Sequence, residues 1–254
     1  DSFIDTAVQP ITDTLASVVF YSVNVFGTDI PLVVAWLVAA AVYFTLSLNF
    51  LNVRGFLHAI RLVRGDYSRS DAPGEVTHFQ ALATAVSGTV GIGNIGGVAI
   101  AITAGGPGAT FWMIVAGLLA MSTKFVECTL GTLYRRENPD GSVSGGPMYY
   151  IEQGFVARGW SKVGKAIGSF YALGIVIGCF GIGNMFQSNQ AYQQFVNVTG
   201  GTESFFADKG WLFGLLLGAV VGLVIIGGIK SIARVTSKVV PFMALLYGVG
   251  ALIM

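Results

Sequence analysis

Ser87-Gly88-Thr89-Val90-Gly91-Ile92-Gly93-Asn94-Ile95-Gly96-Gly97 lies in the middle of an apolar segment, about residues 76–103, that is long enough to cross a bilayer. Glycine costs about 1 kcal/mol relative to alanine inside a helix. The four glycines from Gly88 to Gly96 therefore mark a point where a spanning helix comes apart. Unwound backbone at membrane depth persists only where it is buried in protein or lines a polar cavity. Secondary transporters use such breaks to hold small charged solutes and their coupling ions.

The bulk composition agrees with a membrane setting. Hydrophobic residues make up 54% of the 254-residue chain and charged residues 11%, against about 25% in a soluble domain. The net charge of +1 points to no nucleic-acid partner. Cys128 and Cys179 fall in apolar segments and read as small buried hydrophobes; His58 and His78 stand apart from them, so no metal cluster is expected.

Working outward from the break, residues 1–28 form an amphipathic N-terminal segment. Phe3, Ile4, Val8, Ile11, Leu15, Val18 and Val19 recur at helical spacing, as in a helix lying at the interface. A first span is expected within residues 29–51. After the broken span at 76–103 come spans at 111–133, 164–192, 211–229 and 239–254. Basic residues follow every second span: Arg54, Arg61, Arg64 and Arg69, then Arg135, Arg136, Arg158, Lys162 and Lys165, then Lys230, Arg234 and Lys238. The alternate loops hold only Lys209. The positive-inside rule makes the basic loops cytoplasmic and puts the N-terminus outside. Between spans three and four, Gly145-Gly146-Pro147 reads as a turn. The stretch after Pro147 reads as an ordinary structured loop, with a short surface helix as the alternative. The chain opens at Asp1 and closes within an apolar run, so both ends are expected to be cut.

Gly91-x-Gly93-x-x-Gly96 matches the dinucleotide fingerprint by letter, but its flanks are apolar helix and the next acid is Glu127 in the following span. Packing of small residues explains Gly96, Gly97, Gly174 and Gly178, yet leaves Thr89 and Asn94 beside the break unexplained. At a break, the first half-helix ends in unpartnered carbonyls and the second opens with free N–H groups. The N–H end suits a carboxylate; the carbonyl end, with the Thr89 hydroxyl and Asn94 amide oxygen, suits sodium. In the fourth span, Asn184-Met185-Phe186-Gln187-Ser188-Asn189-Gln190 brings amides into an apolar segment, where polar groups face a cavity. Gln187 is the candidate for bonding a substrate, with Met185 and Phe186 walling an apolar pocket. The preceding Gly181-Ile182-Gly183-Asn184 echoes the second span but carries little weight alone. Lys124 and Glu127, at i and i+3 in span three, are assigned a structural role, with a proton-carrying Glu127 as the sharper alternative. No nucleophile–base constellation or phosphate-binding loop points to an enzyme or to a cofactor.

Thr89 to Ala99, Gly105-Gly106-Pro107-Gly108-Ala109-x-Phe111-Trp112, Lys124-Phe125-x-Glu127, Tyr134, Gly145-Gly146-Pro147-Met148-Tyr149-Tyr150 and Gln187 together resemble the alanine or glycine:cation symporter family. The resemblance covers nearly the whole chain. It implies an all-α polytopic membrane protein of the leucine-transporter fold, built from two inverted five-helix repeats. Residues 29–51 would be an extra N-terminal helix and residues 75–254 the first repeat, with the second repeat absent from this chain. It also implies sodium-coupled import of alanine or glycine across a bacterial or archaeal plasma membrane. Proton coupling is the alternative, and a channel or scaffold protein the rival class. Gly91-Ile92-Gly93-Asn94 is further similar to the first break of sodium-coupled neurotransmitter transporters. By that similarity Gly91, Ile92, Gly93 and Asn94 would bind substrate, with the Ile92 and Gly93 amides facing its carboxylate. Asn94 and the Thr89 carbonyl would face one sodium ion, and the Ser87 and Val90 carbonyls a second. No protein partner is identifiable beyond the bilayer itself.

Overall fold

Helices dominate the computed structural model, which describes residues 2–25, 27–68, 74–179 and 184–253; for residues 2–8 and 11 only the backbone is described. Helix α1 spans Ser2–Val19. It is followed by an antiparallel hairpin of β1 (Ser22–Val25) and β2 (Thr28–Pro31), which the amphipathic-helix reading of residues 1–28 does not anticipate. The signal is local. Gly27 turns the chain at φ +85° and donates its N–H to Asn24 Oδ1 at 3.2 Å, while Asn24 Nδ2 donates to Asp29 at 2.9 Å.

Helix α2 (Leu32–Ser47) is apolar all round and starts behind Pro31, whose fixed φ suits that position. Short helices α3 (Leu51–Arg54) and α4 (Phe56–Arg64) come next. Helix α5 (His78–Thr89) opens with a capping box: Thr77 Oγ1 accepts from the Gln80 N–H, and the Gln80 side chain accepts from the Thr77 N–H. Helix α6 (Ile92–Gly105) stops at Gly106, which takes φ +68° ahead of Pro107. Helix α7 spans Gly108–Leu133.

A two-residue ladder, β3 (Arg136–Glu137) with β4 (Val143–Ser144), leads into α8 (Pro147–Val156). In its turn, the Ser142 hydroxyl (2.6 Å) and N–H (2.9 Å) both donate to Asp140 and hold its carboxyl below the usual carboxylate range. The stretch expected to be a structured loop is thus a helix. Gly146 at φ +122° and Pro147 in the first turn set its start. It packs on α9 (Ser161–Gly178), and the reason is steric. A β-carbon on Gly164 would stand 2.7 Å from Phe155 Cβ and 2.9 Å from the Glu152 carbonyl, and one on Gly168 would stand 3.0 Å from the Met148 carbonyl. Glycines on α9 open the groove that α8 occupies.

Helix α10 (Asn184–Val198), a 3-10 turn (Gly201–Glu203), α11 (Gly210–Ile225) and α12 (Gly228–Ile253) complete the chain. The span expected at 164–192 therefore corresponds to α9 and α10, with residues 180–183 between them outside the described set. The span expected from 239 begins earlier, at Gly228. By length and apolarity α7 and α12 can each cross a membrane, as can α5 and α6 taken as one span bent by 45°. Helices α2 and α11 are apolar but only 16 residues long.

Two compact units are present: residues 1–56 with 107–129, and residues 57–106 with 130–254. In the first, Asn52 Nδ2 donates to the Leu118 carbonyl at 3.0 Å, and Thr45 and Ser122 are buried. In the second, α5 packs on α12, and α11 lies beside both α10 and α12. Among the described residues the only buried apolar side chains are Ala41, Ala83 and Ala233, while Phe170, Leu223, Ile226 and Leu252 stand exposed. Such an inside-out distribution suits a lipid surround. Cys128 and Cys179, expected to be buried, are exposed on this apolar surface.

Candidate functional site

The candidate site is the junction of α5 and α6. Helix α5 ends at Thr89; Val90 and Gly91 are extended, at φ −86° and −149°; α6 starts at Ile92. The break is two residues wide, narrower than the run from Gly88 to Gly96 over which the glycines are spread. The reason lies in Asn94. Its Oδ1 accepts the Gly91 N–H at 3.0 Å while its own N–H donates to the Gly91 carbonyl at 3.0 Å. This reciprocal pair rewinds the chain within one turn. It also takes up the Gly91 N–H, leaving the Ile92 and Gly93 amides as the first-turn donors of α6.

On the α5 side, the Val90 N–H donates to the Val86 carbonyl at 2.8 Å and the Thr89 hydroxyl donates back to Ala85 at 2.7 Å. The later carbonyls of α5, from Ser87 onward, lie in the last turn, where a helix has no further N–H to offer. Donor and acceptor ends thus meet within residues 87–94.

The structure also brings Gln187 to the break. Its Nε2 lies 2.7 Å from where a β-carbon on residue 91 would stand. Gly91 is needed here for close approach, since any side chain would displace the amide of α10. Met185 and Phe186, at the start of α10, are exposed, as are Thr89, Asn94 and Gln187. The structure does not close Met185 and Phe186 into a pocket. The echo at Gly181–Gly183 lies outside the described residues, while Asn184 opens α10, donating to the Cys179 carbonyl at 2.9 Å. Asn189 lines a separate open pocket with Tyr192 and Phe213.

Beside the break is a cavity of about 460 Å³. Ser87, Val90 and Asn94 line one side; Met243, Ala244 and Tyr247 of α12 line the other. Sequence reasoning missed these α12 residues. Val240, Met243, Ala244, Tyr247 and Gly248 share one helix face by spacing, but spacing does not say which element that face meets. Helix α12 is held there by the Thr84 and Thr236 hydroxyls, 3.1 Å apart. Buried Ala83 and Ala233 lie near them in sequence on the same two helices. Lys124 and Glu127 form an ion pair at 3.0 Å on α7.

The similarities to known proteins run the length of these elements. The sodium/alanine symporter AgcS of Methanococcus maripaludis is 37% identical over 223 residues, which is 88% of this chain and 47% of that protein. An uncharacterized transporter of Haemophilus influenzae is 38% identical over 228 residues, covering 89% of this chain and 46% of its own length. The probable sodium/glutamine symporter GlnT of Bacillus subtilis is 36% identical over 217 residues, covering 85% and 42%. The chain spans about half the length of these relatives. A model of the sodium:alanine symporter family matches residues 12–254, taking in the broken span, the amide-bearing helix α10 and the cavity face of α12. On that match and on these identities, the chain belongs to the sodium:alanine symporter family.

Proposed function

We propose that this chain supplies half of the binding site of a sodium-coupled symporter for a small neutral amino acid, alanine or glycine. The observation that carries this reading is the bent junction of α5 and α6 with the Gln187 amide against it. Three groups with different preferences meet there. The Ile92 and Gly93 amides, at the N-terminal end of α6, favour a carboxylate. The late carbonyls of α5 and the second lone pair of Asn94 Oδ1 favour a hard cation. Gln187 adds a side chain able to donate to the substrate or accept from it. Gly91 would let α10 come close enough for that contact, and Met185 and Phe186 would limit side-chain size. Discrimination by a single methylene is worth only about 1–3 kcal/mol, so serine is expected to compete weakly.

Binding both charges at one break links them electrostatically: each neutralises part of the field that would oppose the other. That is the physical basis for coupling, and the leucine-transporter architecture with an inverted second repeat would supply the missing wall. In this reading the N-terminus would lie outside and the 135–165 connection in the cytoplasm, supported by the basic residues that follow every second span. Glu127, paired with Lys124, serves structure rather than proton transfer.

Uptake of labelled alanine into proteoliposomes holding the intact protein tests the reading. An inward sodium gradient should drive accumulation above equilibrium, and an equal potassium gradient should not. Concentrative uptake with a proton gradient alone would assign the coupling to protons, and equilibrating flux with any cation would indicate a channel.

A further inference from the structure

We propose that α4 is an interfacial helix that lies on the cytoplasmic leaflet and binds anionic phospholipid headgroups. The proposal rests on the topology above only in placing residues 49–68 on the cytoplasmic side; it is independent of substrate and coupling ion.

A hydrogen-bonded turn precedes the element in the chain. After α2 ends at Ser47, Asn49 and Phe50 both take left-handed conformations, at φ 51° and 55°. Two successive non-glycine residues rarely do so, and Phe50 least of all. The turn is secured by the Phe50 N–H to the Thr45 carbonyl at 2.9 Å and by the Asn52 side chain on the Leu118 carbonyl. Helix α4 then stops at Gly65, at φ +96°, where the Gly65 and Asp66 N–H groups close on the Arg61 carbonyl.

Phe56 and Ile60, four residues apart on one face of α4, are both exposed, and Leu57 beside them is 70% exposed. Arg61 lies one turn beyond Leu57, and Arg64 one turn beyond Ile60. The spacing thus puts each arginine on the same helix face as an apolar residue one turn before it, the arrangement in which a basic side chain can reach up to a headgroup while its stem lies along the acyl boundary. Residues 49–68 carry Arg54, Arg61 and Arg64 against a single acid, Asp66. An exposed apolar face with one-signed positive flanks matches an anionic membrane surface in both respects. Water would leave the apolar surface of Phe56, Leu57 and Ile60 uncovered, and neutral lipid would offer the arginines no net counter-charge.

Two measurements on the intact protein test this, neither using a transported substrate. The first places a nitroxide at residue 60, through Ile60→Cys with Cys128 and Cys179 replaced by alanine, in vesicles of phosphatidylcholine with phosphatidylglycerol. The label should be more accessible to oxygen than to an aqueous nickel chelate. Preference for the nickel chelate would overturn the proposal, as would shielding from both probes, which would mean a protein covers the face. The second measures enrichment of phosphatidylglycerol over phosphatidylcholine in lipid that co-purifies with the protein. Replacing Arg54, Arg61 and Arg64 by glutamine should lower it by up to about fivefold per arginine. The corresponding lysine replacements should keep it, which separates lost charge from lost folding. Undiminished enrichment in the glutamine variant would overturn the proposal.

Discussion

Asn94 and Gln187 carry the heaviest expectations at the level of single residues. Asn94 performs two tasks: its side-chain oxygen ties down the Gly91 N–H and it faces the cavity. Asn94→Ala should loosen the break and weaken amino-acid binding by about tenfold to a hundredfold, the range for hydrogen bonds to charged groups. Gln187→Ala should cost less, about tenfold or below. Gly91→Ala is a finer test. Its β-carbon meets only the far end of the Gln187 side chain, so the protein should fold with an unchanged melting temperature while affinity falls toward that of Gln187→Ala. Titration of alanine into each purified variant measures all three. Unchanged affinity in Asn94→Ala and Gln187→Ala together would remove the site assignment. Glu127→Gln should leave the pH profile of transport as it is; a profile that flattens would make Glu127 the proton carrier instead of half of an ion pair. The polar residues beside the glycines were legible in the sequence because hydroxyls and amides inside an apolar span are costly without a partner. The width of the break was not, because it depends on the Asn94–Gly91 bonds, which composition does not encode.

Packing governs the helices and hairpins. The glycine faces of α9 explain why the stretch after Pro147 is helical, and they give a direct prediction. Gly164→Val should destabilise the protein by about 1–3 kcal/mol through overpacking against Phe155 and the Glu152 backbone. Gly168→Ala, which needs a shift of only a few tenths of an ångström against Met148, should cost clearly less; thermal unfolding of both variants checks the order. The Thr84–Thr236 contact joins α5 to α12, and a double-mutant cycle to valine should give a coupling of about 0.6 kcal/mol, typical of hydrogen bonds between membrane helices. The apolar runs themselves were legible because twenty-residue apolar stretches have few other uses, whereas the early start of α12 and the division of 164–192 between α9 and α10 were not. Helix α8 and the β1–β2 hairpin were not. Helix α8 forms against glycines that lie beyond its own end in sequence, and the hairpin is set by one Asn–Asp pair and a positive-φ glycine next to an otherwise helical pattern.

At the scale of the whole molecule, the chain is helical with an apolar surface, and its candidate site gathers polar groups at one bend. Asn94, Gln187, Met185 and Phe186 are all exposed, and the chain spans about half the length of the relatives it matches. Family membership follows from sequence and similarity alike. The central claim is that one break holds an amino acid and a cation side by side, so each must tighten the other by the same factor. The most direct measurement is the affinity of the purified intact protein for alanine in sodium and in an equal concentration of potassium, for the unaltered protein and for Asn94→Ala. The account predicts at least about a tenfold tightening by sodium, equal to a coupling of about 1.4 kcal/mol, which shrinks markedly in Asn94→Ala. Equal alanine affinity in the two salts, unaltered by Asn94→Ala, would contradict it.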